Sequence, residues 1–589
     1  MSELVAGVPP ALFIFFAALA GLTRNRVAVT AAGASACGIV AVWALTIPAG
    51  TAGKWTFLEL TLIPVSVDPA SRVTGLVFAV FGVIAMTYLY GTGGQWYHST
   101  VALVYIGAAI WGVFAGDWVS LLIAWELMAI ASTVLVWFHG GRAVRIGFRY
   151  ALVHAIGGAL FAAGIALHLV AVGLLPDGIQ FSEGITSGIP AVVAGLGITI
   201  NAALIGFHVW LPDTYASPHV GVSVVLSAYT TKLAVYAAFR AFPEGNVVLA
   251  YVGGVMAIIG ASYAIAQKDA RRLLSYHIQA QVGYMLAGIG IGSSLGIAGA
   301  FAHLFNNVLF KGLLFMVAGV IIIRTGTGLL DKGGRFSVKT PVLAGTFVIA
   351  AASITAVPGT NGFVSKGMVL DAALEGGHGP LRWLLLVGAV GTILSFIKFG
   401  YLAGFRGKTT SLQDVSWIQA VAMVPIAVSC IALGIFYGTF FELLPATDQW
   451  STTPYSQRHI QEKVILFGIG SALFVAGKPL LDRLNGGRDI DTIRNPLVFG
   501  LTRRTVYTVS AVFASVAATE STVRARVARV VYDPVESVAT SLPRQVEPIY
   551  RAYATGVAGT TGIQPSITYR LFALVCCLLA GLILGVSLQ

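Results

Sequence analysis

The chain has 589 residues, of which 57% are hydrophobic and only 10% charged, with a formal net charge of +12. Soluble domains carry about 25% charged residues, so a soluble fold is excluded. Apolar runs of roughly 18 to 25 residues recur from end to end, the length a helix needs to cross ~30 Å of hydrocarbon, and make the chain a polytopic membrane protein.

Taken in chain order, sixteen spans are predicted, at approximately 8–23, 26–48, 73–92, 99–115, 117–138, 150–174, 191–210, 218–241, 247–267, 272–290, 294–322, 341–372, 381–403, 415–438, 462–478 and 569–588. The first follows "MSELVAGVPPALFIFF", which begins with an acid and lacks both a basic n-region and a small-residue cleavage site; it reads as a retained span. Basic residues collect on alternate loops: Arg24 and Arg26; Arg142, Arg145 and Arg149; Lys268, Arg271 and Arg272; Arg324, Lys332, Arg335 and Lys339; Arg406 and Lys408. Such clusters mark the cytoplasmic side and put the N-terminus outside. Opposite loops such as "LPDGIQFSEG" and "PEGN" carry acids. The positive charge is therefore a topology signal, and no tract resembles a nucleic-acid module.

The organisation expected is N-terminal helices over 1–98, a dense core over 99–403, further spans over 404–478, a basic cytoplasmic segment over 479–568 and a last span over 569–589. Within the core, "GFHVWLPDTYASPHVG" (206–221) and "ITAVPGTNGFVSKGMVL" (354–370) place Pro and Gly beside polar residues at membrane depth. Such breaks are tolerated only where protein or cavity water satisfies the freed backbone, and paired interrupted helices point to inverted-repeat transport folds. In the basic segment, valines recur every three to four residues over 505–532 with Arg524, Arg526 and Arg529 among them, an amphipathic pattern suited to a membrane surface, to a brace along sibling helices, or equally to a cytoplasmic tail packed on the bundle. Cys37, Cys430, Cys576 and Cys577 fall in predicted spans without metal-ligand spacing, and no nucleotide or hydrolase motif is present, so neither metal nor cofactor is expected.

Charges at the bilayer centre cost about 2.5–3.5 kcal/mol on insertion scales, which makes each a functional candidate with a partner. Glu126, in "LIAWELMAI", lies mid-span, as does Lys232 in "LSAYTTKLAVYAAF", too far from either end to snorkel. His303, Asn307 and Lys311 stand at i, i+4 and i+8 and form a polar stripe on one helix face. Lys366 follows the "VPGTNG" break, and His208 precedes "LPD". His154 and His168 sit singly on apolar faces, Lys398 is near a basic helix end where snorkelling competes with function, and Asp117 begins its span as a cap.

"AWELMAIAS", "WLPDTYASPHVGVSVVLSAYTTKLAVYAAFR", "AQKDARRLLSYHIQAQVGYML", "HLFNNVLFKGLLF" and "VPGTNGFVSKG" resemble, in this order, the antiporter-like subunits shared by respiratory complex I, membrane-bound hydrogenases and Mrp-type cation/proton antiporters, the D-type Mrp subunit nearest. The resemblance implies an all-α fold with two inverted five-helix repeats, each with a broken helix, and a lateral-type amphipathic helix before the last span. It implies a polar axis carrying protons or monovalent cations such as Na+, and partners that are other membrane subunits of an antiporter or complex I-like assembly in a prokaryotic cytoplasmic membrane. It makes Glu126 the acid of the first half-channel, Lys232 its connecting lysine, His303 and Lys311 the link, and Lys366 the exit lysine. Three positions depart from the pattern: Asn201 replaces the lysine that pairs with the glutamate, Arg271 replaces a lysine that could release a proton, and Asn307 replaces a second histidine. The second half, with Lys311 and Lys366, is then the better equipped for conduction. The alternatives left open are a proton-pumping subunit of a redox-linked complex, the membrane partner of an inorganic-carbon uptake system, and a non-conducting scaffold.

Overall fold

The computed structural model describes residues 8–57, 60–173, 180–181, 184–332, 339–406, 412–484 and isolated positions between 500 and 515. The chain divides into a unit ending at Ile490, which holds all the described spans, and a second beginning at Asp491. The last predicted span, and the amphipathic helix of 505–532 apart from isolated helical positions, lie outside the described residues.

Fifteen of the sixteen predicted spans coincide with helices or helix pairs, eleven of them long and apolar enough to cross a membrane. The N-terminal group is α1 (Ala11–Ala18), α2 (Arg26–Thr46) and α3 (Pro69–Gly91). Between α2 and α3, where hydropathy predicts no element, lies one antiparallel hairpin whose ladder is interrupted midway. β1 (Gly50–Ala52) pairs with β4 (Val65–Val67), and β2 (Trp55–Phe57) pairs with β3 (Leu60–Leu62).

Ten crossings follow in two sets of five. The first comprises α4 (Trp96–Phe114), α5 (Trp118–Trp137), α6 (Arg142–Ala171), the pair α7 (Ile189–Asn201) and α8 (Trp210–Ala216), and the pair α9 (Val220–Leu226) and α10 (Thr230–Ala241). The second comprises α11 (Val247–Ala266), α12 (Ala270–Ile291), α13 (Ser294–Thr325), the pair α14 (Pro341–Thr355) and α15 (Asn361–Glu375), and α16 (Gly379–Tyr401). Five is odd, so the second set enters from the opposite side and runs inverted to the first. After the core come α17 (Trp417–Ile435), the short α18 (Tyr437–Phe441) and α19 (Gln457–Leu484).

Polar caps set many of the helix starts. The side chains of Asn25, Asp68, Asp117, Asn246, Asp269, Ser293 and Ser416 each accept from backbone N–H groups in the first turn that follows. Asp117 does more than cap: its Oδ2 also accepts from Ile63 N at 2.8 Å and so holds the hairpin region to α5. α12 and α13 are the central pieces, buried along almost their whole length, which is why they tolerate polar side chains that lipid-facing helices exclude.

Candidate functional site

Two breaks at membrane depth share one backbone design. α7 and α14 both end in a Schellman turn. Ala203 N donates to Ile200 O (3.1 Å) and Leu204 N to Thr199 O (2.8 Å); Ala356 N donates to Ser353 O (3.1 Å) and Val357 N to Ala352 O (2.9 Å). The left-handed residue is an alanine each time, with φ of 64° at Ala203 and 63° at Ala356, and a left-handed glycine follows three residues later, Gly206 at 92° and Gly359 at 89°. Alanine there costs about 1–2 kcal/mol, and its use twice in equivalent places marks an imposed geometry.

Side chains from neighbouring helices satisfy what the turns release. At the first break Trp210 Nε1 donates to Ile200 O (3.3 Å) and Gln279 Nε2 to Ala203 O (3.2 Å). At the second, Gly359 N donates to Tyr455 Oη, which itself donates to Gly434 O, while Ile354 O accepts the Lys366 amine at 2.7 Å. Gly362 is required for this closure, since a Cβ on it would collide with Ser353 O.

In the first set, Glu126 is half-buried on α5 with its carboxylate against Gly158 of α6, where any side chain would displace it. No ion pair or hydrogen bond to Glu126 occurs among the described residues. Asn201 is fully buried at the end of α7, and both its amide atoms lack a hydrogen-bond partner among the described residues; so do both ring nitrogens of buried His154, which packs on Tyr150 and Trp210. His208 is buried beyond the turn, with Nδ1 accepting from Gly206 N at 3.3 Å. Lys232 is fully buried, yet its amine donates at 2.7 Å to Ser227 O, a carbonyl at the interruption between α9 and α10. The structure thus does not pair Glu126 with Lys232.

The second set is more closely connected. His303 bridges three helices: Nε2 meets Gln281 Oε1 of α12 and Nδ1 meets Ser365 Oγ of α15, both at 3.1 Å. Lys311 donates to Leu274 O at 2.8 Å, and Lys366 lies 4.9 Å from the centroid of the Tyr284 ring. All are buried. His303 and Lys311 each stand within electrostatic reach of Lys232 and Lys366, and His277, bonded to Ser395 Oγ at 2.8 Å, is within reach of Lys311 and Lys366. Asn307 is buried in the stripe with both amide atoms lacking a partner among the described residues.

Sequence reasoning did not single out His277, Gln281, Tyr284, Ser365 or Tyr455. The first three recur at spacings of four and three along "SYHIQAQVGYML", a polar face that the flanking aromatic and small residues obscured. Other residues have structural duties. Arg271 donates to Pro218 O (2.7 Å) and Ser223 Oγ (3.0 Å), bracing the junction of α8 and α9. Lys398 donates to Ile265 O and Gln267 O at the end of α11. Asp213 of "LPD" pairs with Arg149 (3.3 Å) and Arg272 (2.8 Å), tying α8 to α6 and α12. His168 accepts from Thr186 N at 3.2 Å.

Residues 115–395 match the family described as NADH:quinone oxidoreductase/Mrp antiporter, TM. Over 369 residues the chain is 30% identical to NADH-quinone oxidoreductase subunit N of Desulforudis audaxviator (strain MP104C), covering 58% of this chain and 73% of that one. It is 25% identical to the D-type subunit of the Na(+)/H(+) antiporter of Bacillus subtilis (strain 168), covering 68% and 86%. Among solved structures, a chain of the Mrp complex from Dietzia sp. DQ12-45-1b superposes with a TM-score of 0.64 at 20% identity, covering 77% of this chain and 99% of that one. A chain of respiratory complex I from Thermus thermophilus gives 0.67 at 18%, covering 80% and 100%. At these identities the structural likeness speaks to the fold.

Proposed function

Because the chain belongs to the NADH:quinone oxidoreductase/Mrp antiporter family of membrane subunits, we propose that it is the ion-translocating subunit of a multisubunit Na+/H+ antiporter and that its buried lysines and histidines carry the protons. The observation that carries this reading is the set of Lys232, His303, Lys311 and Lys366, buried in the core and bonded to neutral oxygen or amide partners. A lysine held by a carbonyl has no fixed counter-charge to neutralise it. Its proton is therefore governed by the other movable charges around it: two unit charges 8 Å apart at an effective dielectric of 20 interact by about 2 kcal/mol, more than a tenfold change in occupancy. Protonating one member pushes the proton off the next.

His303 couples this axis to the break. Ser365 Oγ lies within bonding distance of both His303 Nδ1 and Asn361 O (3.2 Å). A neutral His303 that donates from Nε2 to Gln281 accepts a hydrogen bond from the Ser365 hydroxyl at Nδ1. A doubly protonated ring donates to Ser365 instead, and the hydroxyl turns to Asn361 O, the first carbonyl of α15. One hydroxyl rotation thus reports the charge of His303 to the helix that bears Lys366.

Lys366→Ala tests the reading in vesicles holding the whole assembled complex: cation-dependent proton movement is expected to disappear while assembly survives, and unchanged transport would remove Lys366 from the mechanism. The second reading, a proton-pumping subunit of a redox-linked assembly, is favoured by the similarity to the quinone oxidoreductase subunit. It predicts proton movement that follows electron donors and ignores Na+.

A further inference from the structure

α19 is mostly turned outward. Val464 and Ile465 are 65% and 60% exposed, and the buried positions among its described residues are Lys463, Leu466 and Gly470, at i, i+3 and i+7 on one face. A lysine is the wrong residue for an ordinary packing face. Lys463 is 3% exposed, and its amine has no hydrogen-bond partner among the described residues. It does not snorkel, although it lies only about 9 Å along the helix from the α19 start by rise per residue. An apolar side chain would serve packing better, since an unpaired buried cation costs several kcal/mol.

Its surroundings are ionisable on every side. Next to it in sequence, Glu462 pairs with Arg382 of α16. One turn before it, His459 Nε2 bonds to Asp371 Oδ1 of α15 at 2.9 Å. Inward, Lys463 is within electrostatic reach of Lys366, and Glu462 is within reach of Tyr284, whose ring lies against the Lys366 amine. Outward, Asp371 and His459 line a cavity of about 280 Å³ together with Glu375, Thr453 and Arg458. Counting crossings from the basic loops puts this cavity on the outer side, the end of α15 toward which the second break directs the chain.

We propose that Lys463 is a proton relay between Lys366 and the Asp371–His459 cavity, which is the outer mouth of the axis. This rests on the proposed translocating function. A proton leaving the Lys366 ammonium passes to the neutral Lys463 amine and from there to the Asp371–His459 pair and bulk water, so each step exchanges one N–H bond for another proton-acceptor bond and leaves no net change in the relay.

The test uses vesicles containing the assembled complex, with Lys366→Ala alongside. Lys463→Gln and Lys463→Arg are both expected to lower cation-dependent proton transport at least tenfold, since arginine keeps the charge but does not release the proton. Arginine at the wild-type rate with glutamine inactive would make Lys463 a brace and overturn the relay. Both at the wild-type rate, with Lys366→Ala inactive, would overturn the outlet and leave the translocating function standing. An active Lys366→Ala would instead sink that function itself. Should the Lys463 variants fail to assemble, Thr453→Cys decides. An impermeant cationic thiol reagent added on the cavity side is expected to inhibit it, and labelling without inhibition relative to treated wild type overturns the mouth.

Discussion

Asn201 shows how one side chain changes the surroundings of a buried acid. It sits where the family resemblance expects the lysine that pairs with Glu126, and in the structure both it and the glutamate lack a partner among the described residues. Two unsatisfied polar groups against neighbouring glycines, Gly157 and Gly158, are the kind of site that ordered water or a passing ion satisfies. Asn201→Lys should restore a cation near the acid and alter ion coupling, with Asn201→Leu as the control for lost polarity. Transport and assembly are compared in one preparation. A normally assembled Asn201→Lys complex with unchanged rate, cation preference and pH profile would place position 201 off the conducting path.

The residues carrying charge were largely legible in the sequence, because a lysine or histidine amid apolar runs stands out by its insertion cost. Their partners were not. The resemblance made Lys232 a connecting lysine without naming what holds it, and it turns to Ser227 O, a carbonyl exposed by a helix interruption that hydropathy does not register. Lys463 was invisible for a different reason: near a helix start, a lysine reads as snorkelling until the burial of its amine is seen.

For helices the informative features are their ends. Both Schellman turns place alanine in the left-handed region, so Ala203→Gly and Ala356→Gly should each stabilise the assembled protein by up to about 1 kcal/mol, and valine at either position should destabilise it by more. Thermal unfolding of the purified complex checks this; valine variants as stable as wild type would show that the turns can relax. The breaks were legible from Pro and Gly, whereas the left-handed alanines were not, since no sequence rule expects alanine at positive φ. The hairpin of 50–67 escaped notice because each strand segment is only three residues long.

The start of α3 offers a pH test. Asp68 caps that helix and pairs with Arg240 of α10 at 2.6 Å. Burial pushes its carboxyl up, but the Arg240 guanidinium and the Ser71 bonds outweigh it and hold the group below its ordinary value of 3.8. A depressed value in the folded state gives stability that is complete above pH 4 and is lost as pH falls through the lower folded value. The difference in melting temperature between wild type and Asp68→Asn should stay constant from neutral pH to about 5 and close below about 4. A gap that narrows already between pH 7 and 5 would contradict the assignment.

At the scale of the molecule, two inverted sets of five crossings surround α12 and α13, and the groups able to carry charge concentrate where these two helices meet the second break. The crossings were legible through hydropathy; the equivalence of the two breaks is carried by backbone angles and left no trace of identity between the segments. The central claim is that buried lysines in this core exchange protons instead of only holding it together. Lys311 tests it most directly, because it donates to Leu274 O from a fully buried position within electrostatic reach of both Lys232 and Lys366. Lys311→Arg keeps the charge and a donor but not the ability to release a proton. In vesicles of assembled complex, cation-dependent proton transport by Lys311→Arg should fall to the level of Lys366→Ala; transport at the wild-type rate would contradict the account.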